Sequence, residues 1–139
     1  SNPTKAQRNT KNSCITENEL ATVAVDISFK IHKTLGPGLL ESVYESAFAY
    51  ELTKRGIAFT RQQGIVANYE DEILDVGFRA DIIIENKVIL ELKSIEAVAD
   101  VHYKQLLTYL KLTDLKLGML INFNVPLIKD GIHRIVNKL

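Results

Sequence analysis

Residues 78–93, FRADIIIENKVILELK, decide how this chain folds. Two arms rich in β-branched and aliphatic residues flank the polar Glu85-Asn86-Lys87, the composition of two strands joined by a tight turn. With the turn centred on Asn86, Asp81 stands opposite Glu91, and directly opposed residues of an antiparallel pair project from one face. Lys93, two residues beyond Glu91, joins them there. Ile83 and Ile89 complete this face, while Ala80, Ile82, Ile84, Val88, Leu90 and Leu92 fill the other, so both faces of the hairpin are expected to be buried. Two carboxylates and an ammonium in such surroundings are costly to desolvate unless they pair, hold a metal or meet a substrate. The spacing alone is equally met by a structural Lys–carboxylate pair at the end of a sheet.

Asp81 followed by Glu91-Leu92-Lys93 resembles the signature of the PD-(D/E)XK nuclease superfamily, with an acid on one strand and acid-x-lysine on the next. Two further stretches carry the resemblance. Gly38-Leu39-Leu40-Glu41-Ser42-Val43-Tyr44 reads as GxxExxY, the motif of the GxxExxY branch of that superfamily, and Gln105 with Tyr109 reads as the QxxxY of RecB-like nucleases. Ala80 stands where the superfamily name has proline, a residue that carries no chemistry. The resemblance implies a restriction-endonuclease-like α/β core and a Mg²⁺- or Mn²⁺-dependent nuclease. Asp81, Glu91 and Glu41 would hold the metal, and Lys93, Gln105 and Tyr109 would complete the catalytic set. It also implies nucleic acid as partner, DNA in preference to RNA, with Gln105 and Tyr109, otherwise two polar residues edging a packed helix, as contacts; Arg79 and His102 are further candidates for phosphate contact by their own chemistry.

The bulk properties set bounds on this reading. A chain of 139 residues makes one domain. With 46% hydrophobic and 24% charged residues it has the composition of a soluble globular protein, and no apolar run reaches the roughly 20 residues of a membrane span. Cys14 is the only cysteine, which excludes an intrachain disulfide or a cysteine-rich zinc site and fits the cytoplasm. Seventeen basic residues balance seventeen acidic ones, against the usual basic surplus of nucleic-acid-binding domains. Aromatic residues, at 7%, supply no evident platform for single-strand stacking, and a homodimer could provide the missing surface.

Residues 1–14 are polar and aperiodic and are expected to form a flexible tail ahead of a single domain over 15–139; Ser1-Asn2, with no methionine before it, reads as a cloning remnant. Thr16 and Glu19 form a capping box for a helix whose apolar face is Leu20, Ala24, Ile27, Ile31 and Leu35, with His32 complementing its C-terminal dipole. Gly36-Pro37-Gly38 breaks the chain, and a second helix runs to about Arg55 with Gly56 as its cap, completing a helical hairpin. Glu41 heads a stripe of Glu45, Phe48 and Leu52 there; the first-turn position of Glu41 also suits the helix dipole, and Tyr44 is assigned to packing.

A strand over 57–69, a turn at Glu70-Asp71-Glu72 and a strand carrying Asp81 follow, with Gly64 and Gly77 as candidate bulges. Arg79 is expected to pair with an acid or to touch phosphate. Asp100 is the expected N-cap of a helix to about Leu112, on which His102, Gln105, Tyr109 and Leu112 share a stripe. Leu117–Phe123 then returns parallel in the same sheet, and residues 131–136 form an edge strand. The predicted architecture is a mixed sheet with helices on both faces. A non-catalytic module that binds nucleic acid or protein on the same fold is the competing function, since fold alone does not guarantee activity.

Overall fold

The computed structural model describes residues 14–139; of the tail expected over 1–14 only the exposed Cys14 lies among them. Helix α1, Glu17–Leu35, begins as its capping box dictates: the Thr16 hydroxyl accepts from the Glu19 amide, and the Glu19 carboxylate accepts from the Thr16 amide, each at 3.1 Å. Leu20, Ala24, Ile27 and Ile31 are buried along one face. Leu35 departs from the expected stripe and is exposed, because the helix ends there and Gly36, at φ 74°, turns the chain away. Near this end the His32 ring bonds the Val125 carbonyl at 2.8 Å, tying the helix to a distant loop.

Helix α2, Glu41–Lys54, antiparallel to α1 across the short 36–40 connection, is capped by Arg55 rather than Gly56, which follows at φ 70°. The connection is held by Tyr44: its hydroxyl donates to the Gly36 carbonyl at 2.7 Å and accepts from the Leu39 amide at 3.1 Å. The ring lies flat on Phe123, with centroids 4.3 Å apart. Tyr44 is therefore the packing and positioning residue that the sequence suggested.

Strands β1 (Phe59–Tyr69), β2 (Glu72–Ile84), β3 (Val88–Lys93), β4 (Leu117–Asn122) and β5 (Ile132–Val136) form one sheet in chain order. Helix α3 (Asp100–Thr113) crosses from β3 to β4, which makes that pair parallel; every other neighbouring pair is antiparallel. The turn falls on Glu85-Asn86-Lys87 as expected, with positive φ at its first two residues. Between Ile65 and Val66 the β1–β2 register shifts; Gly77, at φ 75° and bonded to the Asp75 carboxylate, takes up the extra length. Gly64 sits in regular register opposite Arg79 and is no bulge. A 3-10 turn, Ile128–Gly131, precedes β5.

The sheet separates two cores. Ile82, Ile84, Val88, Leu90 and Leu92 pack beneath α1 and α2, while Ile83 and Ile89 pack with Leu106, Tyr109 and Leu110 of α3. Ala80 lies with the α3 cluster rather than with Ile82, because the strand alternation slips at Asp81, where no strand pairing is made on either side. Two helices on one face and one on the other is the layering predicted, and it leaves the Asp81 end of the hairpin as the place where the sheet opens.

Candidate active site

Backbone pairing between β2 and β3 stops at Ile82 opposite Leu90. One step further the two acids bond backbone amides across the gap: the Asp81 amide donates to Glu91 Oε2 and the Leu92 amide donates to Asp81 Oδ2, both at 2.8 Å. Each carboxylate satisfies an amide of the opposite strand, so the strands can part here without leaving a buried donor unpaired. Beyond this point β3 continues beside β4 as far as Lys93 opposite Asn122. The buried Asn122 amide exchanges hydrogen bonds with the backbone of Ile95 at 2.9 and 3.1 Å, which fixes the exit from β3.

The electrostatics of the pair follow from its position. Glu91 is 5% exposed, and burial, followed by the charge of Asp81, pushes its carboxyl from an ordinary 4.5 up to about 8. The Asp81 carboxyl is also raised, chiefly by burial; its bonds from Leu92 and Gln62 act in the opposite direction, and the charge of Glu45 adds to the rise. The charge of Lys93 favours ionisation of both acids, yet its ammonium makes no hydrogen bond or ion pair among the described residues. The structural Lys–carboxylate pair that would have explained the spacing is not formed.

Tyr109 comes down from α3 onto the same site. It is 2% exposed and packs against Phe78 with centroids 5.8 Å apart. Burial, then the charges of Glu91 and Asp81, push its phenol up to about 12, while a hydrogen bond with Gln105 one turn earlier pulls the other way. Tyr109 thus stays a neutral phenol near neutral pH, and it packs in the core cluster that contains Ile83 and Ile89 of the hairpin.

The other candidates lie further out or are engaged elsewhere. Glu41 is exposed; its Oε2 accepts from the Ser94 amide at 3.0 Å, tying the start of α2 to the residue after Lys93. Beside it a cleft of about 540 Å³ is lined by Gly38, Leu40, Glu41, Ser42, Ser94 and Asn124 among others. Arg79 pairs with no acid among the described residues: its guanidinium donates to the Gln62 carbonyl at 3.0 Å. His102 accepts from the Ala99 amide through Nδ1 at 2.9 Å and closes the first turn of α3, so Ala99 rather than Asp100 is the N-cap.

Two residues that sequence reasoning left out of the site are linked to Asp81. Gln62, exposed on β1, donates from Nε2 to Asp81 Oδ1 at 3.2 Å and to Glu45 Oε1 at 2.6 Å. Glu45, buried on α2, is also paired with Arg61 at 3.0 Å. The only sequence trace of this bridge is the polar run Arg61-Gln62-Gln63 inside an otherwise alternating strand.

No group of three or more His, Cys, Asp or Glu side chains among the described residues is placed to hold a metal. The donor set that suits one is the Asp81–Glu91 pair, hard carboxylate oxygens on adjacent strands. Burial above all, with the neighbouring acids behind it, disfavours their charge, and a divalent cation would offset that penalty. Mg²⁺ sites commonly take only one or two protein carboxylates and complete the shell with water and substrate oxygens, so the pair fits such an ion.

These features define an α/β domain with an acid pair and a lysine at the parting of a mixed sheet. Over residues 18–135 the chain matches the family model of the PD-(D/E)XK nuclease superfamily. It belongs to that superfamily, and its sheet and flanking helices form the restriction-endonuclease-like core. No curated protein and no solved structure matches the chain.

Proposed function

We propose that the protein is a Mg²⁺- or Mn²⁺-dependent nuclease that hydrolyses phosphodiester bonds in nucleic acid, DNA in preference to RNA. The observation that carries this reading is the acid pair at the opened ladder, Asp81 and Glu91, with the uncommitted ammonium of Lys93 on the same strand. Asp81 and Glu91 would hold the ion, and Glu41, whose carboxylate now accepts from the Ser94 amide next to Lys93, would join them. Bound there, a divalent cation supplies Lewis-acid polarisation of the scissile phosphate and acidifies a water.

The chain's own residues do the rest. Lys93 orients the attacking water and stabilises negative charge as it develops on the phosphate. Tyr109, kept neutral, and Gln105 hydrogen-bond the phosphate or the ligating carboxylates. Arg79 and His102 are assigned to the substrate backbone on either side; both must exchange their present internal hydrogen bonds for phosphate. Gly38, Glu41 and Tyr44 support membership of the GxxExxY branch, with the tyrosine closing the loop that aims the glutamate. The lone cysteine supports a cytoplasmic setting, and a homodimer would supply additional substrate surface to a chain with no net charge.

The test is incubation of purified protein with labelled single- and double-stranded DNA and RNA in Mg²⁺, Mn²⁺ or EDTA, beside Asp81→Asn. Metal-dependent cleavage lost in the variant is expected. A parent that binds metal but cleaves none of these substrates would replace the nuclease with a binding module on the same fold.

A further inference from the structure

We infer that Gln62 is a positioning residue that orients Asp81 for metal binding. It occupies a strand, yet its φ is 51°, a left-handed value that residues other than glycine adopt at a cost. The β1–β2 register steps from Arg61 opposite Ile82 to Gln63 opposite Ala80, so Gln62 and Asp81 face each other without a strand pairing. What the strand receives in exchange is the side-chain geometry: one amide nitrogen within hydrogen-bond distance of Glu45 Oε1, at 2.6 Å, and of Asp81 Oδ1, at 3.2 Å.

The amide orientation is fixed by chemistry. The nearer neighbour, Glu45 Oε1 at 2.6 Å, belongs to a carboxylate ion-paired with Arg61, which accepts and does not donate, so the nitrogen must be the group that faces it. Arg61 already compensates the charge of Glu45, at 3.0 Å, so Glu45 does not require Gln62 as a counter-group. Asp81 is the acid with more at stake. Oδ2 is held by the Leu92 amide and Oδ1 by Gln62, which fixes the carboxylate plane from both ends. Each oxygen keeps a second lone pair, so the clamped carboxylate can still bind a cation. Glu45 in turn anchors the glutamine to α2, so the orientation of Asp81 is referred to the same helix that begins with Glu41.

This role rests on the metal-binding reading of Asp81, and the experiment separates the two. Mn²⁺ titration calorimetry is run on the parent, Gln62→Met and Gln62→Gly, at a temperature where thermal unfolding in EDTA shows all three folded. Methionine keeps the side-chain length without the amide; glycine also removes the backbone strain. Both variants are expected to bind Mn²⁺ about tenfold or more weakly, the scale typical of groups that orient ligands. Gln62→Gly is expected to unfold in EDTA no earlier than Gln62→Met. A merely structural role would lower the unfolding temperature and leave Mn²⁺ affinity unmoved. Parent-like affinity in both variants overturns the role of Gln62 alone; a parent that binds no Mn²⁺ overturns the metal reading and this role with it.

Discussion

Replacing Glu91 by glutamine removes a buried charge while keeping an acceptor for the Asp81 amide, which separates the cost of the site from its use. The folded protein holds a proton on this acid pair up to about pH 8, whereas the unfolded chain releases it near 4.5. Between those values the native state binds more protons than the unfolded one, so stability without metal falls as the pH rises. The distance from 4.5 to about 8, at about 1.36 kcal/mol per pH unit, sets a ceiling on the order of 5 kcal/mol. Because the proton is shared with Asp81 and the site can relax, roughly 1–3 kcal/mol is the expected gain for Glu91→Gln at pH 8.5. Near pH 5, where the parent carboxyl is largely protonated, the two proteins should be close to equal. At roughly 3–5 °C per kcal/mol for a chain of this size, thermal unfolding in EDTA across pH 5–9 resolves the difference. A variant no more stable than the parent at pH 8.5, or a difference independent of pH, would refute the assignment of a frustrated buried acid.

With metal the ranking should invert. Millimolar Mn²⁺ should raise the parent's melting temperature, by about 2.7 kcal/mol of stability at a hundred times Kd, and leave Asp81→Asn unmoved; equal shifts in both would point to a different site. Lys93→Ala should keep Mn²⁺ affinity equal or higher, since the lost ammonium opposed the cation, while cleavage falls roughly a hundredfold; parent-like cleavage would remove Lys93 from the chemistry. Tyr44→Phe should lower stability by about 1–3 kcal/mol through its two lost hydrogen bonds while keeping the stack on Phe123, measured by denaturant unfolding; an unchanged midpoint would show the Gly36–Leu39 connection to be held otherwise.

The hairpin was legible because its information is local. Turn chemistry at Glu85-Asn86-Lys87 sets the register, the register sets Asp81 against Glu91, and strand period carries Lys93 with them. The capping box of α1 and the parallel return of β4 were legible for the same kind of reason: a short pattern, or a connection length, admits few solutions. The partners of exposed polar side chains were not. Arg79 found a carbonyl instead of an acid, and His102 an amide at its own helix start, because long or flexible side chains select among several neighbours that only the folded chain presents. Ala80 changed faces because strict alternation assumes an unbroken ladder, and the ladder breaks at the very residue the pattern singled out.

That break links fold to function more closely than the motif does. A continuous β2–β3 ladder would bring the strands together here and, because bonded and non-bonded residue pairs alternate along it, would give an opposing carbonyl to only one of the Asp81 and Leu92 amides. Using carboxylates as partners for both amides lets the strands part while those donors stay satisfied, and it draws two acids into a setting that disfavours their charge. The same two bonds therefore hold the strands apart and place two carboxyls where burial disfavours their charge. A substitution that restored ordinary pairing is expected to stabilise the hairpin and to weaken the proposed metal site, so that under the nuclease reading stability and metal affinity oppose one another through a single pair of side chains.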